Sequence, residues 1–236
     1  MKNITLLALD TSTEACSVAL WHKGEKTHLY ELAQRTHTKR ILPMVDELLA
    51  NSGINLKQVD ALAFGRGPGS FTGVRVSAGI AQGLALGADL PVIAVSNLTA
   101  MAQAAFELHQ AENVATAIDA RMNEVYFSQV KREKVLSELG EFFQWNPVIE
   151  EQVCQPEKVL EQLSDFTAYR VGTGWAAYPQ FKDSGLEGSD IILPSAQYMI
   201  ELALTDYAQN KIISALEIEP VYLRNEVTWK KLPGRE

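Results

Sequence analysis

The sequence is poor in the residues that hold metals and disulfides. Its 236 residues include only two cysteines, Cys16 and Cys154, whose wide separation matches no metal-binding spacing. Two thiols without an obvious partner are typical of a protein in a reducing compartment, so we expect a cytoplasmic location. The four histidines are equally sparse, and no two of them are four residues apart, as a metal-binding pair on one helix face would be. The sequence therefore predicts no metal site.

Positive charge and long apolar runs are also scarce. The chain has 21 Lys and Arg against 29 Asp and Glu, which gives a net charge of −8. Because Lys and Arg supply most of the affinity for phosphate backbones, such a chain is poorly suited to hold RNA or DNA alone. The apolar run at residues 4–9 ends at Asp10 and is too short for a signal peptide or a membrane span. We expect no membrane partner, and expect any nucleic acid to be contacted mainly through another protein.

The hydrophobic pattern predicts the same order of strands and helices in both halves of the chain. In the first half we expect strands at 4–10, 15–21 and 26–32, a helix at 36–51, a strand at 59–64, a helix at 70–86, a strand at 92–95 and a helix at 97–108. In the second half we expect strands at 117–119, 124–130 and within 135–143, a helix at 156–163, a strand at 168–171, and helices near 175–181 and at 195–209.

This repetition indicates an internal duplication. It predicts an α/β fold of two lobes, each with a mixed sheet flanked by helices. We place the lobes at 1–108 and 109–216, with 217–236 as a tail that packs back on them. A single irregular α/β domain is the alternative.

A glycine-rich turn at residues 63–75 joins a predicted strand to a long helix of small residues. Such a turn can bind phosphate, because free amides and the helix dipole point at the anion. A Walker loop starting at Gly67 would need glycine at 72 and lysine at 73, where the chain has Thr72 and Gly73. The dinucleotide and nucleophile-elbow spacings fail as well. We expect Ser70 or Thr72 to cap the helix instead, which contributes about 1 kcal/mol.

Two predicted turns resemble the acidic hairpin turns of a phosphotransfer cleft. Asp10 and Ser12 lie in the first, Asp119 lies in its counterpart in the second half, and Gly172 and Gly174 follow a later strand. The first turn lacks glycine, however, and the side chains of residues 11–14 crowd the approach that a phosphate needs. We interpret the arrangement as an eroded nucleotide cleft.

The helix after the glycine-rich turn carries Gly79, Gly83 and Gly87 at four-residue spacing. Each glycine inside a helix costs about 1 kcal/mol relative to alanine. A row of them makes sense where another backbone comes close, either the chain's own or that of a partner protein.

Five segments, 7–20, 37–43, 65–75, 118–126 and 219–224, closely resemble the bacterial TsaB family, also called YeaZ. The resemblance covers essentially the whole chain. It implies two ribonuclease-H-like lobes of the actin/Hsp70-like ATPase superfamily, in agreement with the duplication.

The resemblance also implies a function. The family takes part in making N6-threonylcarbamoyladenosine at position 37 of tRNAs that read A-starting codons, with threonylcarbamoyl-AMP as the donor. TsaD, a metal-binding paralogue, performs the transfer, and the small ATPase TsaE joins the pair. Catalytic members carry paired histidines near the segment 37–41, of which this chain keeps only His37. We therefore expect a non-catalytic subunit with no catalytic residues and no cofactor of its own.

The family pairs through the first two helices of its N-terminal lobe, with TsaD as a heterodimer or, without TsaD, as a homodimer. This implies an interface of ten residues: His37, Ile41, Leu42, Val45, Leu48, Leu49, Phe71, Arg75, Gly79 and Gly83. An adenine nucleotide shared with the partner would use some of eight residues: Asp10, Ser12, Arg66, Ser70, Thr72, Asp119, Gly172 and Gly174. Arg66 and Arg75 are equally candidates for plain salt bridges. The alternative function is a self-acting enzyme, either kinase-like and nucleotide-dependent or a peptidase.

Overall fold

A computed structural model describes residues 4–33, 36–137, 140–163 and 167–224. The first of its two sheets contains β1 (Leu6–Asp10), β2 (Ala15–His22), β3 (Glu25–Leu32), β4 (Ala61–Gly67) and β5 (Val92–Ser96). The second contains β6 (Asn113–Arg121), β7 (Glu124–Ser137), β8 (Gly140–Cys154) and β9 (Tyr169–Val171). The α-helices are α1 (His37–Asn51), α2 (Phe71–Ala88), α3 (Asn97–His109), α4 (Pro156–Gln162), α5 (Gly174–Ala177), α6 (Pro179–Asp183) and α7 (Met199–Ala208). We call the first sheet with its helices the first lobe and the second sheet with its helices the second lobe.

The two sheets share one topology. The first has the order β3-β2-β1-β4-β5 and the second β8-β7-β6-β9. In each, the opening strand pairs antiparallel with the next strand and parallel with the strand that follows a helix. Two mixed sheets flanked by helices confirm the predicted α/β fold, and the matching strand order is what a duplication produces.

The central strand β1 shows why the first lobe needs helices on both faces. Leu7 and Leu9 lie in one apolar core with α1 and α2, whereas Leu6 and Ala8 lie in another with α7. Successive side chains on a strand point to opposite faces, so a fully apolar strand must be covered on both.

Two helices connect the lobes through their packing. Helix α7 follows the second sheet in sequence, yet Met199, Ile200, Ala203 and Leu204 pack on the first sheet. Helix α3 packs its apolar residues against the second sheet. The boundaries at 108/109 and 216/217 stay predictions. Any division of the chain into lobes has to allow for α3 and α7, each of which packs on the sheet of the other half.

The structure corrects two predicted elements. The third strand of the second half is not within 135–143, because β7 continues to Ser137 and β8 begins at Gly140. Strand-favouring residues such as Val135 and Phe143 lie on both sides of this reversal, so patterning could not locate it. The helix at 195–209 is a 3₁₀ turn, Ala196–Tyr198, followed by α7. Residues 225–236, the end of the predicted tail, lie outside the described residues.

Within the described ranges, no helix combines the length and apolar character needed to span a membrane.

Candidate functional site

A cleft of about 760 Å³ lies between the lobes. Its walls come from the β1–β2 turn and the starts of α1 and α2 in the first lobe, and from β6, the β9–α5 turn and Arg224. The structure thus brings five candidate nucleotide or interface residues to one place: Ser12, His37, Ser70, Phe71 and Asp119.

Asp10 does not face this cleft as a free carboxylate. Its side chain is fully buried, and one oxygen accepts from Asn97 Nδ2 at 2.8 Å and from the Ser12 amide at 3.3 Å. The other accepts from Ser12 Oγ at 3.1 Å. Burial raises the pKa of Asp10 to about 6, although the hydrogen bonds from Asn97 and Ser12 oppose this shift. A Cβ on Gly65 would lie 2.0 Å from the carboxylate, so the chain itself closes over the group.

The glycine-rich turn is occupied by the chain's own hairpin. A Cβ on Gly69 would lie 2.4 Å from the Ser12 carbonyl oxygen, and one on Gly73 would lie 2.3 Å from the Thr11 carbonyl oxygen. The Ser70 amide donates to the Ser12 carbonyl at 2.7 Å. Ser70 Oγ accepts from the Gly73 amide at 3.0 Å, which confirms the predicted cap on α2. These amides are satisfied within the protein and are not left to bind a phosphate.

The second lobe uses its candidate residues in the same way. Asp119 accepts from Tyr178 Oη and from the Arg121 amide, each at 2.8 Å. Gly172 and Gly174 let the β9–α5 turn approach β6, since Cβ atoms there would lie 2.1 and 2.9 Å from a carbonyl oxygen of that strand. Their role in this structure is packing.

Arg66 forms an ion pair rather than facing the cleft. Its Nη2 lies 3.0 Å from Glu151 Oε2, and Ser96 Oγ donates to the same carboxylate. The salt-bridge alternative for Arg66 is therefore the one that the structure shows, and this pair joins β4 of the first lobe to β8 of the second. Thr72 is exposed in the first turn of α2. His37 Nε2 is buried and has no hydrogen-bond partner among the described residues.

The predicted interface residues fall into two groups. Ile41, Val45, Leu48 and Leu49 are at most 6% exposed and belong to the core between α1 and the first sheet. They are not available to a partner in this structure, because the apolar stripe of α1 faces inward. Leu42 on α1 is 45% exposed.

Helix α2 exposes the four predicted interface residues that it carries, Phe71, Arg75, Gly79 and Gly83. Phe71 is 60% exposed, and Arg75 stacks on it with its guanidinium carbon 3.4 Å from the ring centroid. No atom of the described residues lies within 4 Å of a Cβ built on Gly79, Gly83 or Gly87. The glycine row is therefore exposed, and none of the described residues packs on it.

Sequence reasoning missed the contacts of residues 219–224. Tyr222 Oη accepts from Arg75 Nε at 2.8 Å, and Arg224 pairs with Glu124 in the second lobe. Sequence reasoning expects the tail at 217–236 to pack back on the lobes, but it names no residue that makes the contacts. It also missed Asn97, whose side chain joins Asp10, Ser12 and the Gly67 amide.

Among the described residues, no three His, Cys, Asp or Glu side chains are grouped so that they could hold a metal ion.

Repeated sheets of one topology with a cleft between them define a two-lobed protein of the actin-like ATPase fold. The family model described as TsaD, tRNA N6-adenosine threonylcarbamoyltransferase, matches residues 29–215. The chain is 77% identical over 236 residues to a tRNA threonylcarbamoyladenosine biosynthesis protein TsaB from Haemophilus influenzae, with 100% of each chain covered. It is 49% identical to the protein of that name from Escherichia coli, over 98% of this chain and 99% of the relative.

A solved structure gives the same result. YeaZ from Pseudomonas aeruginosa is 43% identical with a TM-score of 0.81, over 93% of this chain and 100% of that one. The chain belongs to the TsaB family, as the sequence resemblance predicted.

Proposed function

We propose that this chain acts in tRNA threonylcarbamoyladenosine biosynthesis as a non-catalytic partner of a TsaD-type transferase. Full-length relatives carry the name of that pathway, and the matching family model is described as the transferase itself. In the proposed complex TsaD transfers the threonylcarbamoyl group from threonylcarbamoyl-AMP to adenosine 37, and TsaE joins the pair in the cytoplasm.

The open glycine row of α2 is the observation that carries the proposal. Gly79, Gly83 and Gly87 together cost this helix about 3 kcal/mol relative to alanine, and no described atom of the chain uses the space. Small residues at four-residue spacing allow a second helix to approach closely. A partner helix would account for this cost, which no packing among the described residues explains.

The pairing surface that we propose is narrower than the predicted one. It consists of the exposed residues of α1 and α2, with Leu42, Phe71, Arg75, Gly79 and Gly83 at its centre. The same surface would support a homodimer when TsaD is missing.

Asp10 and the two thiols, three groups that could do chemistry, are enclosed, which supports the non-catalytic role. The Asp10 side chain is fully buried and packs against Gly65 and the β1–β2 turn. Both thiols are buried, and burial raises the pKa of Cys16 to about 12 and that of Cys154 to about 11. A thiol with so high a pKa is a poor nucleophile near neutral pH. The net charge of −8 further supports indirect tRNA contact through the partner.

Reconstitution tests the proposal. Transfer from threonylcarbamoyl-AMP to tRNA is measured with TsaD and TsaE, with and without this chain, and also with this chain but no TsaD. We expect product only when both proteins are present. Product from this chain without TsaD, or turnover of ATP or peptide by the chain alone, would refute the non-catalytic role and favour the enzyme alternative.

A substitution on α2 tests the surface. Gly83→Leu places a bulky side chain where no described atom lies within 4 Å, so the fold should persist while pairing with TsaD falls at least tenfold. Ala176→Leu, at an exposed position of α5 in the second lobe, is the matched control. Equal pairing by both variants in analytical ultracentrifugation would rule out the α2 surface.

A further inference from the structure

We propose that residues 219–224, which we call the strap, clamp the two lobes together at one fixed separation. The clamp is formed by contacts within this chain alone and is independent of the proposed function.

The strap is first anchored to the first lobe. It leaves a 3₁₀ turn, Ala215–Glu217, whose Ala215 carbonyl accepts from Gln82 of α2 at 3.0 Å. The Val221 amide then donates to the Arg66 carbonyl of β4 at 2.8 Å. Tyr222 Oη accepts from Arg75 Nε at 2.8 Å, and the Tyr222 ring lies 6.1 Å from that of Phe71. These contacts fix the first half of the strap to β4 and α2.

Three residues after Val221, the strap is held by the second lobe. The Arg224 guanidinium donates to the Glu124 carboxylate through Nε at 3.0 Å and also through Nη2. Nη2 lies 3.2 Å from the Ala120 carbonyl oxygen and 3.4 Å from the Arg121 carbonyl oxygen. All of these acceptors lie at the end of β6 or the start of β7, on either side of the β6–β7 turn.

The Arg224 ion pair has the features of a strong contact. The two side chains are only 19% and 29% exposed, and two guanidinium nitrogens donate to one carboxylate. Charge-assisted hydrogen bonds through two donors are stronger than neutral ones and fix orientation. The turn that Arg224 holds has positive φ at Arg121, Met122 and Asn123, so its carbonyls are presented by an unusual backbone that the arginine helps to satisfy.

Chain length turns these anchors into a clamp. Three residues span at most about 11 Å when fully extended, so the lobes cannot separate far at the strap without breaking one set of contacts. A second tie reinforces it, because the side chain of Arg66 pairs with Glu151 of β8 while its carbonyl holds Val221. The strap therefore keeps the cleft, which Arg224 lines, at one width.

The test measures the separation of the lobes directly. Nitroxide labels are placed at Lys57→Cys in the first lobe and Lys182→Cys in the second, both exposed positions. The native thiols of Cys16 and Cys154 are buried and should not be labelled. Labelled protein is diluted with unlabelled protein, so that double electron–electron resonance spectroscopy reports the distance between the two labels of one molecule.

We expect one narrow distance distribution for the parent protein. Arg224→Ala should at least double its width or add a longer component, and Glu124→Gln should act in the same direction from the other lobe. Arg40→Ala, which removes an arginine–glutamate pair lying entirely within the first lobe, is the control and should leave the distribution unchanged.

A strap that only covers the surface of the first lobe would behave differently. Parent-like distributions in both Arg224→Ala and Glu124→Gln would overturn the proposal, even if hydrogen exchange at the β6–β7 turn increased, since that change could be local. If Arg224→Ala fails to fold, as judged by circular dichroism, Glu124→Gln decides the outcome, because it removes one charge and keeps the side-chain shape.

Discussion

Replacing Asp10 with asparagine should stabilise the protein at neutral pH, and the structure gives the size of the effect. The Asp10 carboxyl is fully buried and forms no ion pair among the described residues. Burial raises its pKa from 3.8 to about 6, with hydrogen bonds from Asn97 and Ser12 acting in the opposite direction. Between pH 3.8 and about pH 6 the folded protein therefore keeps a proton on Asp10 that the unfolded chain has released, and at neutral pH the folded state has to bury the ionised carboxylate.

The sign of the pH dependence follows from this difference. The contribution of the protonated carboxyl is complete below the unfolded pKa of 3.8 and is lost as pH rises through the folded value of about 6. One pKa unit corresponds to about 1.4 kcal/mol, so the ionised carboxylate lowers the free energy of unfolding by about 3 kcal/mol above that range. At pH 5 the loss is only about 1.5 kcal/mol, because the folded state is still mostly protonated.

Urea unfolding of the parent and of Asp10→Asn between pH 5 and pH 7.5 measures this contribution. The difference in unfolding free energy should move in favour of the variant by about 1.5 kcal/mol over that interval. The change of this difference with pH is the test. Its absolute value is not, because it also contains the effect of exchanging a hydroxyl for an amide next to Asn97 and Ser12. Asp89→Asn, at the exposed end of α2, controls for the loss of one charge from a chain of net charge −8. A difference that stays constant with pH would refute the buried-carboxylate argument.

Three further predictions follow from the same structure. Gly83→Ala should raise the free energy of unfolding of the monomer by up to about 1 kcal/mol while weakening self-association, as measured by urea unfolding and sedimentation, because no described atom lies near its Cβ. Gly69→Ala should instead lower that free energy by about 1–3 kcal/mol or more, with Gly79→Ala as control, because its Cβ would lie 2.4 Å from a carbonyl oxygen of the first hairpin. The thiols of Cys16 and Cys154 should resist a disulfide reagent at pH 8 until the protein is unfolded, since burial raises both pKa values.

Most of the fold could be predicted because its elements are locally encoded. An apolar run that reaches an aspartate occurs twice, at Asp10 in β1 and at Asp119 in β6, and each strand is followed by a pairing strand. Sequence order places helix α7 with the second half, whereas the structure packs it on the first sheet. Its apolar face fits any sheet, and only the three-dimensional path of the chain brings Met199 and Ile200 onto the first sheet.

The candidate site was harder to predict, because one pattern can serve two purposes. The apolar stripe of α1 reads as a pairing surface or as a core face, and Ile41 and Val45 prove to be core. The contact between Arg224 and Glu124 joins residues one hundred positions apart, and neither stands out among the other charged residues of the sequence. Patterning finds which residues share a face but not what lies opposite that face.

The glycines connect these observations. Gly69 and Gly73 sit where the β1–β2 turn presses against the start of α2, so their small size serves packing around the cleft. Gly79 and Gly83 continue along the same helix into open space, so their small size has no use within the described chain. A phosphate site in the glycine-rich turn would instead need backbone amides that are free to face the anion. The distribution of glycine along α2 thus favours a protein that keeps the two-lobed fold, closes its cleft on itself and offers a helix to a partner.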